Sequence, residues 1–257
     1  MPTHAYVAKS LRKCPKTIRW AWLIVTTAFI AGGCGDGGDA GGADAAIQQP
    51  DATVAPPHVV YLVFDGLTVT NGLVDDPQGN VSGVLSAPFT APPFMDGVSN
   101  RDAQLALVAD GARTVLAPYN IEVVTERPAS GEYDMIVVGG DPVDAGFSAG
   151  IIGNTPFGCS EAFRSDKNVS FIFENYAPLT KRYASNVVTH IGMVNGVPIT
   201  KRNGDCMCGA SFDCELLDQL CTMGAAGTPV DTAVWTCDSI TEVDVGASFL
   251  DVFGPAL

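Results

Sequence analysis

Histidine is scarce in this chain: His4, His58 and His190 are the three among 257 residues. Beyond the N-terminal segment only two remain, so a metal site built from three imidazoles is excluded by number. Positive charge is also short. Fourteen Lys and Arg stand against 28 Asp and Glu, a formal net charge of −14. Five of the 14 basic residues precede Cys34 and every acidic residue follows it, so the later part is more acidic still. Nucleic acid is excluded as a partner, because its phosphates would be repelled. Solubility accounts for the acidity, which points to no particular partner. The sequence also lacks a G-x-S-x-G nucleophile elbow and a P-loop. The charge-free stretch at residues 20–33 is 14 residues long. A bilayer span needs about 20.

What is present at the N-terminus reads as an export signal. Lys9, Arg12, Lys13, Lys16 and Arg19 form a basic n-region, and residues 20–33 form the apolar h-region. Small residues Ala31, Gly32 and Gly33 lead directly to Cys34, as in a lipobox, although Ala31 replaces the usual Leu. The expectation is a signal peptide over 1–33, a lipid on Cys34 and attachment to a membrane of the cell envelope. Gly35 in place of Asp after the cysteine points to the outer membrane. Residues 34–57 are mostly Gly, Ala, Asp and Pro and cannot bury enough surface to offset chain entropy, so they read as a flexible tether. Residues 58–257 are then one domain by size.

Six cysteines follow Cys34: Cys159, Cys206, Cys208, Cys214, Cys221 and Cys237. An even number in an exported domain predicts three disulfides, with the pairing open. Five of them fall between residues 206 and 237, which predicts a loop-rich, cross-linked C-terminal region. The competing reading is a metal cluster around Cys206 and Cys208, which an oxidising compartment disfavours.

Hydrophobic patterning supplies the elements. The continuous apolar run at 59–64 predicts a strand buried on both faces, ended by a turn at Asp65–Gly66. A Gly- and Pro-rich excursion follows to about residue 98, with Asp75–Asp76 in a solvated loop. A helix is expected over 101–116, capped by Asn100, with Leu105, Val108, Ala112, Val115 and Leu116 on its apolar stripe; Gly111 weakens it and Pro118 stops it. Strands are expected at 121–125, 133–138 and 169–173, with a short edge strand at 149–155. A second helix spans 180–195, burying Ala184, Val187, Val188, Ile191 and Val194. The class is α/β or α+β, with a four- or five-stranded mixed sheet whose β-α-β start implies parallel neighbours.

Four segments carry a resemblance: VVYLVFDG at 59–66, LAPYNIEVVTERPASGEYDMIVVGG at 116–140, GCSE around Cys159 and VSFIFEN at 169–175. They resemble secreted bacterial zinc metalloproteases of the metzincin type, and the likeness extends over nearly all of 58–257. It implies a sheet with a cleft-lining edge strand, then a central active-site helix, a Met-turn and a C-terminal helix. That family's zinc motif is H-E-x-x-H-x-x-G-x-x-H. Two imidazoles four residues apart share one helical face and one metal, and the glutamate takes a proton from metal-bound water.

The matching segment here is THIGMVNGVPI, residues 189–199. Gly196 fits the turning glycine, and Asp205-Cys206-Met207 resembles the Met-turn that lies under the metal. The chemistry is missing. Thr189, Met193 and Ile199 stand at the three ligand positions and His190 stands at the general base. Shifting the register does not restore the motif, and His190 alone is expected to be a satisfied or exposed helix residue rather than a ligand. The implied molecule is a pseudoprotease with no metal or cofactor, keeping its cleft for a peptide or protein. The rival is an active hydrolase, either metal-free or with zinc held by His190 and acidic or cysteine ligands. The resemblance also suggests a disulfide from Cys159 to the Cys206/Cys208 region, with Cys206 favoured as the partner beside the Met-turn.

Overall fold

Strand β1 (His58–Val63) alternates its side chains between two cores. Val60 and Leu62 join one buried cluster; Val63, with Val59 and Tyr61 beside it, joins another. The same division runs through β6 (Asp134–Val138), where Ile136 and Val138 face the first core and Met135 and Val137 the second. It recurs in β8 (Val169–Ile172), with Ile172 on one side and Val169 and Phe171 on the other. Apolar residues at consecutive positions are what a strand covered on both faces requires. The computed structural model describes residues 55–157, 167–173, 179–208, 219–232, 237 and 239–256. The expected signal segment, Cys34, nearly all of the tether, Cys159 and Cys214 lie outside the described residues.

The molecule is a mixed α/β protein. Its main sheet has five strands in the order β5-β1-β6-β8-β7, where β5 is Ile121–Val124 and β7 is Gly153–Asn154. β5, β1, β6 and β8 are parallel, and β7 runs antiparallel along the edge of β8. The expected edge strand at 149–155 is thus shorter, because Gly150 turns the chain with φ +87° before pairing begins. β1 ends at Val63 rather than residue 64. The Phe64 carbonyl instead accepts from Phe94 N–H at 2.8 Å and Arg101 Nη2 at 2.7 Å.

The excursion after β1 is a second small sheet, which periodicity did not predict. β2 (Leu67–Asn71) pairs in parallel with β3 (Val81–Ser82) and antiparallel with β4 (Phe89–Ala91). Val69, Leu85, Phe89 and Ala91 bury the second face of the main sheet. Asp75 in this excursion is half-buried rather than solvated: it accepts from Gly83 N–H at 2.6 Å and Val169 N–H at 2.9 Å. Its carboxylate anchors the excursion to the start of β8, and burial pushes its pKa up.

Helix α1 (Arg101–Leu116) follows the expected bounds and buries Val108, Ala109, Ala112 and Leu116. Asn100 makes no side-chain cap; its carbonyl accepts from Gln104 N–H at 3.2 Å instead. Gly111, a weak point by propensity, is where α1 meets α2 (Thr180–Val194). A β-carbon there would sit 2.7 Å from Ala184 Cβ. The small residue is what lets the helices approach. The short pair β9 (Thr228–Pro229) and β10 (Glu242–Val243) precedes helix α3 (Val245–Phe253), whose cap Asp244 accepts from Ala247 N–H at 2.8 Å. Phe249 and Phe253 return α3 to the first core. Among the described residues no helix is long and apolar enough to cross a membrane.

Candidate functional site

Helix α2 runs through the interior, and nearly every residue from Tyr183 onward is buried, the polar Ser185, Thr189 and His190 among them. Its end is fixed by Gly196 at φ +77°, which is favourable because glycine has no β-carbon to clash. Val197 N–H donates to the Gly192 carbonyl at 2.9 Å and Gly196 N–H to the Met193 carbonyl at 3.2 Å, a Schellman closure. The chain leaves the helix at this turn and continues to Ile199.

Thr189, which the metzincin resemblance would set at the first ligand position, is buried and aims its hydroxyl at main chain. Thr189 Oγ1 lies 2.6 Å from the Cys206 carbonyl and 3.1 Å from the Ser185 carbonyl. Met193 is partly buried against the first core, and Ile199 is fully within it. None of these side chains offers the nitrogen, thiolate or carboxylate that zinc takes, so the positions do not fit the metal. Among the described residues no three His, Cys, Asp or Glu side chains gather where an ion could be held.

His190 is neither exposed nor satisfied. It is 7% exposed, and Nδ1 has no hydrogen-bond partner. Burial pulls its pKa down to about 4, leaving the ring neutral at ordinary pH. The imidazole lies against the edge strand: a β-carbon on Gly153 would overlap the ring at Nε2 and Cε1. Glycine at 153 is what allows the ring to lie so close to that backbone.

Beneath α2 lies the turn at Asp205-Cys206-Met207. Asp205 Oδ1 accepts from Met207 N–H at 2.7 Å, and Cys208 N–H returns to the Asp205 carbonyl at 3.1 Å. Met207 is fully buried, and a β-carbon on Gly192 would overlap its sulfur. Burial raises the Asp205 pKa, opposed by the Met207 hydrogen bond.

The cysteine pairing differs from the expectation. Cys206 bonds to Cys221, not to Cys159, with 4.8 Å between the α-carbons. The reason is local: Asp205 and Thr222 form a parallel bridge, and Cys206 N–H donates to the Thr222 carbonyl at 2.9 Å, so the two cysteines lie side by side. Cys208 and Cys237 are also disulfide-bonded, which removes the metal-cluster reading around Cys206 and Cys208.

A second polar centre was not anticipated. Asp134, first residue of β6, is almost fully buried. Its Oδ2 lies 2.9 Å from His58 Nε2 and 3.4 Å from Asn195 Nδ2. Oδ1 accepts from the Asn168 backbone at 2.8 Å and its side chain at 2.9 Å. The group joins the starts of β1 and β6 and the approach to β8 to the end of α2. Its one sequence signal is an acid in an otherwise apolar strand, since a buried charge must be paired. No known protein-family model matches this chain, and no characterised protein matches it in sequence.

Proposed function

We propose that this chain is a lipid-anchored, metzincin-like pseudoprotease whose edge strand β7 receives an extended peptide or a protein segment. Support comes from the order of its parts: an antiparallel edge strand, a buried helix ending on Gly196, a turn that seats Met207 under Gly192, and a closing helix α3. Among the described residues β7 is paired on one side only, which supports its use by an incoming strand. The observation that carries the reading is the Thr189 hydroxyl bound to the Cys206 carbonyl at 2.6 Å. The first ligand position serves to hold the helix on the turn below it rather than to hold a metal. Anchoring rests on the leader and Cys34.

Two measurements test this. Purified full-length protein is expected to carry no stoichiometric zinc and to leave an unfolded protein substrate intact with or without chelator. Extended peptides are expected to shift the backbone amide resonances of residues 153–155. One zinc per chain with chelator-sensitive cleavage would overturn the reading, as would edge-strand amides that respond to no peptide. Cys34→Ala is expected to move the protein from the membrane to the soluble fraction, because a lost diacyl chain removes many buried methylenes.

A further inference from the structure

The turn that links β2 to β3 has its polarity inverted. Leu73 and Val74 at its tip are 101% and 74% exposed, while the next residue, Asp75, turns its carboxylate inward to Gly83 N–H at 2.6 Å and Val169 N–H at 2.9 Å. Solubility alone favours the reverse, with the acid in water and the aliphatic pair covered. The tip is also held on both sides. Gly72 N–H donates to the Ser82 carbonyl at 3.0 Å, and Asp76 and Val81 exchange backbone hydrogen bonds at 2.9 Å. Leu73 and Val74 are thus presented on a fixed base. Val169 opens β8, and β1, β6 and β8 run parallel, so Asp75 fastens this tip at the end of the sheet where the chain enters at His58. With β6 alone between them, β1 and β8 lie about 10 Å apart. The exposed aliphatic pair and the attachment of the N-terminal segment therefore share one end of the domain.

We infer that this end of the domain rests on a lipid bilayer, with Leu73 and Val74 seated among the headgroups and upper acyl chains. The inference rests on the lipid anchor proposed at Cys34. Residues 35–55 join that cysteine to Pro56. As a coil, a chain of that length spans about 25 Å. An anchor that short holds the domain beside the membrane at high effective concentration, and the end that carries the tether is the one brought closest. Two aliphatic side chains are too few to capture a free protein from solution. They are enough to set the orientation of one already anchored. The charges around the tip choose the lipid. Asp75, Asp76 and Glu132 stand there with two cations: Lys167, paired with Glu132 at 2.5 Å, and Arg127, bound to the Pro77 carbonyl and Asn80 Oδ1. The acids outnumber the cations, and both cations are engaged within the protein. The surface therefore suits zwitterionic headgroups and gains nothing from anionic ones.

The test uses full-length, lipidated protein reconstituted in phosphatidylcholine vesicles, with or without bromine on the acyl chains near the headgroup. Leu73→Trp reports the tip. Val143→Trp is the control, because Val143 is 55% exposed and follows β6 at the opposite end of the sheet. The parent protein sets the baseline from its native tryptophans. On vesicles Leu73→Trp is expected to emit at shorter wavelength and to be quenched by the brominated lipid, as for a ring about 5–10 Å into the interface. Val143→Trp should show neither change. Adding Val74→Asp to Leu73→Trp should abolish the quenching while the protein still floats with the vesicles. Replacing part of the phosphatidylcholine by phosphatidylglycerol should weaken it. In protein that floats, no quenching at Leu73→Trp, or equal quenching at the two positions, would overturn the inference and leave the anchor standing. Stronger quenching on the anionic vesicles would overturn the zwitterionic preference and the inference with it. Parent protein that stays off the vesicles would overturn both the anchor and the inference.

Discussion

Thr189 Oγ1 lies 2.6 Å from the Cys206 carbonyl, and one turn earlier Ser185 Oγ accepts the Cys221 N–H at 3.0 Å. Two hydroxyls on one face of α2 therefore hold both halves of a single disulfide. Thr189, which the metzincin resemblance would set at the first ligand position, is part of a structural clasp.

Thr189→Val keeps the shape of the side chain and removes the donor. It leaves the Cys206 carbonyl buried and short of a partner, which should cost about 1–3 kcal/mol. Urea unfolding is expected to show a lower midpoint with an unchanged slope, and Thr189→Ser should recover most of the loss. An unchanged midpoint for the valine variant would show that this bond contributes nothing.

The Cys206–Cys221 disulfide closes a loop with a sequence separation of 15. Its removal in Cys206→Ala/Cys221→Ala should cost about 3 kcal/mol through the freer unfolded chain, with further loss because Cys206 is fully buried. Chemical denaturation of the variant beside the oxidised parent measures this. A loss well under 1 kcal/mol would mean that the clasp, rather than the covalent bond, holds the turn.

Asp134→Ala strips acceptors from His58, Asn168 and Asn195 together. Removing one member of a buried, hydrogen-bonded pair costs about 3 kcal/mol or more. The effect should be less than additive with His58→Ala, since the two share a bond. A double-mutant cycle by denaturation checks both points, and strict additivity would show that the pair is not coupled.

Acid stability has a defined sign at His190. Its pKa falls from 6.5 unfolded to about 4 folded, so between those values the unfolded chain binds a proton that the folded chain refuses. Stability therefore drops as pH falls through that window, by on the order of 3 kcal/mol at its lower end, and is unaffected above it. Asp75 and Asp205 act oppositely, because their raised carboxyl pKa values favour proton uptake by the folded state. The comparison of the parent with His190→Leu isolates the histidine: the variant should lose less stability between pH 7 and pH 4. Equal losses would remove His190 as the source.

Local patterning made much of the main sheet legible. β1, β6 and β8 are short apolar runs with residues facing two cores, and α1 keeps its apolar spacing from Val108 to Leu116. The β2–β4 sheet was hidden because its strands are two to five residues long and set among Gly and Pro. Gly111 read as a defect because propensity takes no account of Ala184 across the helix interface. At the candidate site, the letters gave the residue types at Thr189, Met193 and Ile199. The bond from Thr189 to Cys206 and the contact of His190 with Gly153 were not legible, since both depend on segments joined only by folding. His58 and Asp134 are 76 residues apart, beyond any periodicity.

The position of β1 has a mechanical consequence. A pull on the chain ahead of Pro56 reaches the domain at His58, the first residue of a strand with β5 on one side and β6 on the other. Both neighbours run parallel to it, and the His58 side chain is fastened to Asp134 at the point where the load enters. Such a pull must shear two ladders at once instead of peeling one bond at a time. Tension on this end of the chain would be met by the interior of the sheet.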